Sequence, residues 1–497
     1  MTGVARAQTS ELWGRNGEKW SPTSRLPDYS FAGYHCGDRP IPDVPAATDA
    51  TKFGATPDDD TDDAPAIQKA IDATEKGAVT LPAGRFVLGG EVFIKKGNVV
   101  LRGAGRGRTI LVIPRSLEQL QGERITEVTK SSYSFTGGFV TVRGADNGKK
   151  LADVTEPAQR GDNTLVVADV SRIKPGAWIR FTMNNDDALG RLLHGGLAVG
   201  EATPREKKLY VDWCARVTAV DGSRVTIDRP LRVEVRTAWE PQLRSYEPTV
   251  QEVGIEQLTF EFPGKPPRPH LKEEGFNAIL MAGVANCWVR DVAFVEADNG
   301  INVTGASRFC TFNDLSFIAP KRDAIVAQIA ATNPTTRPTP RTTGHHAMWV
   351  RGTQDCLFRD FTIDTQYVHD LTVEGIATGT VFAKGRAVAM NFDHHRNLPY
   401  DNLFTDLDAG DASRLWKSGG STNRGPHGGV GETFWNIRWS KGGPPKPPPF
   451  PRANVIGIRG MSKATDAADG VWVEPIESIE PENLYEAQLR MRLAQQH

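Results

Sequence analysis

NCWVRDVAF (286–294), FCTFNDLSF (309–317) and DCLFRDFTI (355–363) decide the fold. Apolar and polar residues alternate inside each stretch, the period of a strand, and Asn, Asp or Gly break the runs. TVFAKGRA (380–387) and DNLFTDLDA (401–409) continue the series, with steps near 23, twice 23, 24 and 22 residues. Strands recurring at that interval stack coil upon coil, so the chain reads as all-β, a parallel β-solenoid. The doubled step leaves room for one more loosely recognisable coil within 318–343, followed by a Pro/Thr loop. Cys287, Cys310 and Cys356 share one register, 23 and 46 residues apart, and are expected to stack as small core residues rather than act as reactive thiols.

Composition excludes several classes of partner. Lysine plus arginine (59) nearly cancels aspartate plus glutamate (60), so no basic excess draws nucleic acid or holds an anionic membrane. No apolar run approaches the roughly 20 residues of a membrane span. Forty-nine glycines, 33 prolines and 21 phenylalanines suit a turn-rich β protein. Five cysteines with no CxxC pair argue against a disulfide framework or a cysteine metal site. The small-x-small pattern in VARAQ (4–8) has the form of a cleavage junction, so a removed or truncated export signal, and a secreted or periplasmic location, are expected.

The front of the chain carries a resemblance. FGATPDDDTDDAPAIQKAIDATEKGAVTLPAGRFVLGGEVFIKKGNVVLRGAGRGRTIL (53–111) resembles the opening of the pectate-lyase-like right-handed parallel β-helix superfamily, although the usual Gly-Asp-Gly is replaced by ATPDDDTDD. Physically, Asp62 or Asp63 can cap a helix whose first turn holds Pro65 and whose apolar face is Ile67, Ala70 and Ile71. Such a helix plugs the open end of a solenoid. The resemblance implies a polysaccharide partner and lyase or hydrolase chemistry. Named subgroups do not fit: the Asn-Thr-Asp, Asp-Asp and Arg-x-Lys motifs of polygalacturonases and the WIDH of pectate lyases are absent.

The expected organisation is an N-terminal extension (1–50), the first coils with their capping helix (51–144), an inserted β-subdomain (145–250), the main coils (251–440), and a Pro-rich segment with a C-terminal helix (441–497). The insertion is read from short alternating strands around an Asp-Gly turn, and it is placed to wall one side of a groove.

Anchoring strands on Gly283, Gly305, Gly352 and Gly375 sorts their side chains by alternation. Ile279, Met281, Ile301, Val303, Met348, Val350, Leu371 and Val373 point inward. Asn302, Thr304, Trp349, Arg351, Asp370, Thr372, Glu374, Asn391, Asp393 and His395 point outward. Stacking then predicts rows Trp349–Thr372–His395, Arg351–Glu374 and Asp370–Asp393, with His345, His346, His369 and His394 at the strand entrances. Singly, each is an ordinary solvated position; together they crowd three coils with titratable groups.

Three readings follow. In a lyase, His369 or His395 removes the proton beside a uronate carboxylate held by Arg351, and Asp370, Glu374 and Asp393 can bind calcium. In a hydrolase, Asp370 and Asp393 are the carboxylate pair. The third is a non-catalytic carbohydrate-binding solenoid. Trp349 offers a platform for sugar rings, and Lys417, Arg424 and His427 lie on the glycine-rich loop WKSGGSTNRGPHGG (416–429), placed to fold over substrate. A homo-oligomer is compatible with the solenoid.

Overall fold

The computed structural model describes residues 8–126, 130–184, 187–201, 209–332, 342–442, 446–461 and 470–495. Two parallel sheets define an all-β right-handed solenoid. The short sheet has seven strands, running from Val92–Ile94 through Val140–Arg143, Asn277–Ala282, Asn299–Thr304, Gly344–Arg351 and Tyr367–Glu374 to Phe392–His394. The long sheet has fourteen and holds the stretches that first revealed the period. Its register pairs Trp288 with Thr311, Thr311 with Leu357, Leu357 with Val381 and Val381 with Leu403.

Corners come from left-handed backbone. Gly283, Gly305, Gly352 and Gly375 turn at φ 67°, 65°, 61° and 63°. The Asp inside each long strand marks another corner: Asp291, Asp314 and Asp360 have φ 55°, 55° and 52°. Aspartate tolerates this conformation better than most residues with a Cβ. Between corners the alternating residues fill the interior. Phe312, Phe358, Phe382, Phe404 and Phe434 stack in a ladder with ring centroids 4.2, 4.9, 5.1 and 5.1 Å apart. All five cysteines are buried and free, and burial lifts the Cys310 thiol well above its ordinary range.

The helix Ala64–Ala73 buries Ile67, Ala70 and Ile71 against the solenoid end. Asp62 accepts from the Ala64 and Gly89 N–H groups, whereas Asp63 ties the loop through the Thr56 and Val87 N–H groups. Residues 150–245 form a six-stranded antiparallel sheet with its own core. The chain ends meet on the outside of the long sheet, where Gln8–Thr9 pairs with Ile479–Glu480 and the helix Leu484–Ala494 packs on the N-terminal segment.

One expectation fails. Among the described residues the doubled step holds no extra coil: Thr311–Ile318 pairs directly with Leu357–Ile363, and Pro320–Thr332 is a helix. Its apolar residues imitate a strand run but follow a proline at the helix start. The Pro/Thr loop at 333–341, most of the VARAQ junction and the prolines at 444 and 445 lie outside the described residues.

Candidate functional site

The site is built on the last three strands of the short sheet. His346 pairs with His369, Trp349 with Thr372, Arg351 with Glu374, and Thr372 with Asp393. The expected row Trp349–Thr372–His395 is thus corrected by two residues, and Asp370 lies beside Asn391 rather than Asp393, their backbones and side chains exchanging hydrogen bonds. A two-residue slip preserves which face each side chain takes. The face is also not flat and open. Asn302, Trp349, Thr372, Glu374 and Asp393 are all buried, and the loop residues Gly419 and Arg424 bond to Asp393 and Glu374.

Alternation breaks near the strand entrances, because Ala347 and Met348 both enter the core. His346 consequently joins Trp349 on the outer face, their rings stacked 5.3 Å apart. His346 also stacks on His369 at 4.9 Å, and His395 meets His369 edge-on at 5.1 Å. His345 and His270 approach through their Nε2 atoms at 3.1 Å. Half of the ten histidines therefore converge: 270, 345, 346, 369 and 395.

Asp393 is the hub. Its Oδ2 lies 2.9 Å from His395 Nδ1 and 3.1 Å from His369 Nδ1, and accepts from the Thr372 hydroxyl at 3.0 Å. Oδ1 accepts from the Gly419 N–H at 2.6 Å. Burial alone opposes its ionisation, but His369, His395 and these donors overcome it and hold the carboxyl well below its ordinary range. Burial pushes His369 down to about 3, with Asp393 opposing. Burial also lowers His395, yet Asp393 outweighs it and the net shift is upward. His345 and His346 fall well below the ordinary value through burial and neighbouring imidazoles.

The other candidates separate. Asp370 is buried and paired with Arg414, its carboxylate also accepting from the Tyr367 and Asn391 N–H groups. Glu374 accepts from Trp349 Nε1 at 3.1 Å and Arg424 at 3.2 Å, with Arg351 3.9 Å away. These arginine-bound carboxylates leave Asp393 as the one member of the expected calcium trio that joins a ligand-like cluster among the described residues. His394 lies on the wrong face: it is buried inside, bonded to Glu432 at 2.9 Å and packed on Phe450. Its partner row, Val373, explains this, since both point to the core. Trp349 is 3% exposed, so it walls the site instead of offering an open platform.

The loop after the last short strand folds over the imidazoles. Gly419 sits against His395 and His369, and His427 bonds to the His394 carbonyl and Arg396. Lys417 stays exposed, its carbonyl accepting from Asn391. A cleft of about 640 Å³ is lined by Trp349, Arg351 and Thr304 from the sheet, by Phe135, and by Asp212 from the antiparallel subdomain; Trp349 joins it to His346, and Phe135 to His345. Sequence reasoning missed His270, Gly419 and Arg414. His270 sits in a proline-rich loop with no strand period, so only the count of histidines pointed toward it.

Residues 47–170 match the family described as "Rhamnogalacturonase A/epimerase, pectate lyase-like". The match covers a quarter of the chain. The matched segment ends before the site strands, so it supports the fold and not the role of any imidazole. A stretch of 89 residues is 39% identical to Alginate lyase 7 of Azotobacter vinelandii, spanning 16% of this chain and 10% of that protein. The tailspike protein gp49 of Pseudomonas phage LKA1 is 15% identical with a TM-score of 0.49, over 82% of this chain and 67% of that one. The Gp54 tailspike of Acinetobacter baumannii bacteriophage AP22, solved with A. baumannii capsular saccharide, is 8% identical with a TM-score of 0.43, over 84% and 57% of the two chains.

Proposed function

We propose that the protein cleaves a uronate-containing polysaccharide by β-elimination, in the cleft beside the imidazole cluster. The carrying observation is the Asp393–His395 pair at 2.9 Å, linked through His346 and the Trp349 ring stacked on it to a cleft whose rim holds a half-exposed Arg351. β-Elimination needs a base for the proton beside the carboxyl group and positive charge for the enolate that forms. Asp393 on Nδ1 orients His395 and leaves Nε2 as the basic nitrogen, the arrangement that fixes a histidine tautomer. Arg351 receives the uronate carboxylate, and its distance from Glu374 leaves its guanidinium only loosely engaged.

The hydrolase reading, with Asp370 and Asp393 as acid and nucleophile or base, is less well served. Asp370 is buried against Arg414, and Asp393 is held ionised by two imidazoles. A polymeric substrate of this kind is met outside the cytoplasm, and a secreted or periplasmic location is part of the proposal. Digestion of a panel of polyuronates, followed by ultraviolet absorbance and reducing-end release, separates the readings. Absorbing unsaturated products support elimination, reducing ends without absorbance support hydrolysis, and neither product with retained binding supports a lectin-like solenoid.

A further inference from the structure

We propose that His346, His369, His395 and Asp393 form a binding site for a divalent transition metal of the zinc type, and that its occupancy blocks the proton-transfer pair. The second half rests on the β-elimination reading; the first does not. One ligand atom from each of the four residues lies within 4.8 Å of all the others. A tetrahedral ion with bonds of about 2.0–2.1 Å sets its ligand atoms about 3.3 Å apart. Asp393 Oδ2 already stands 3.1 Å from His369 Nδ1 and 2.9 Å from His395 Nδ1, within a few tenths of that edge.

The orientation of His369 adds an independent sign. Its Nδ1 is at contact distance from the Asp393 carboxylate, yet neither ring nitrogen has a hydrogen-bond partner, although the side chain is only 6% exposed. His346 Nδ1 is likewise buried and unpartnered. Buried imidazole nitrogens without partners cost free energy that an ion recovers. They are fixed by sheet register, since His346 and His369 are paired across adjacent strands, so little ordering remains to be done on binding. Three nitrogens and one oxygen suit zinc or a neighbouring transition ion and oppose calcium, which takes six to eight oxygens.

The ion takes Asp393 Oδ2 and His395 Nδ1, the atoms that orient the base, so the loaded protein loses turnover and the stripped protein regains it. The test uses the full chain stripped with chelator and then titrated calorimetrically with Zn2+ and, separately, Ca2+. One Zn2+ per chain with micromolar or tighter affinity is expected, with no Ca2+ heat. H346Q and H369Q should each weaken Zn2+ binding at least tenfold while circular dichroism confirms that they fold. Absence of Zn2+ binding, Ca2+ binding in its place, or variants that bind as tightly as the parent overturn the site. Turnover by the stripped protein tests the enzymatic reading separately. Zn2+ that binds and leaves turnover of a confirmed substrate undiminished overturns the blocking role.

Discussion

Gly419→Ala probes the roof of the site with one methyl group. The Gly419 backbone is outside the left-handed region, so alanine meets no torsional obstacle there. Space is the obstacle: an added Cβ would lie 2.5 Å from His395 Cε1 and 2.8 Å from both His369 Cε1 and His395 Nδ1. Ordinary contact begins near 3.4 Å, so the loop or the rings must move by about 0.9 Å (3.4 minus 2.5). Neither moves freely, because the Gly419 N–H is bound to Asp393, Asp393 holds the His395 ring, and the buried His369 ring is packed among His346, His395 and the Asp393 carboxylate. Overpacking of this kind costs about 1–3 kcal/mol. A reacting group displaced by about 1 Å loses roughly 100-fold in rate. Urea unfolding and initial rates on a cleaved polyuronate measure the two effects. Wild-type stability together with wild-type rate in G419A would show that the loop does not rest on the imidazoles.

Other predictions follow from buried groups. Arg414→Ala strands the buried Asp370 carboxylate and should cost about 3–5 kcal/mol in urea unfolding, much of it restored by adding Asp370→Asn; independent, additive effects would refute the pairing. Burial raises Asp401 to about 6, against Arg160 and Arg232. A raised folded-state carboxyl contributes stability that is present below its unfolded value and lost as pH rises through 6, so Asp401→Asn should gain on the parent by about 2 kcal/mol between pH 4 and 7. A stability difference that stays flat with pH would contradict this. A thiol reagent should find no reactive cysteine in the native protein and five after denaturation, since all five are buried and free; rapid native labelling would contradict the stacked interior.

The fold was legible because burial writes a period into the chain. The 23-residue step, the corner glycines and the inward set from Ile279 to Val373 all follow from residues that must alternate between core and solvent. The site was legible only in part. Face assignment survived at Thr372 and Asp393 because a slip of two residues conserves parity, whereas row assignment failed because the coil between Thr372 and Asp393 spans 21 residues instead of 23. His394 was misplaced because a cluster of like residues hides the alternation running through it. His270 and Gly419 reach the site from loops, where no period exists to place them.

The most direct test of the central claim is the rate at which the Asp393→Asn protein, folded by circular dichroism, forms ultraviolet-absorbing unsaturated uronate from a polymer the parent cleaves. Loss of at least 100-fold, with polymer still bound, is the expected result. Undiminished product formation would contradict the assignment of chemistry to the Asp393–His395 pair.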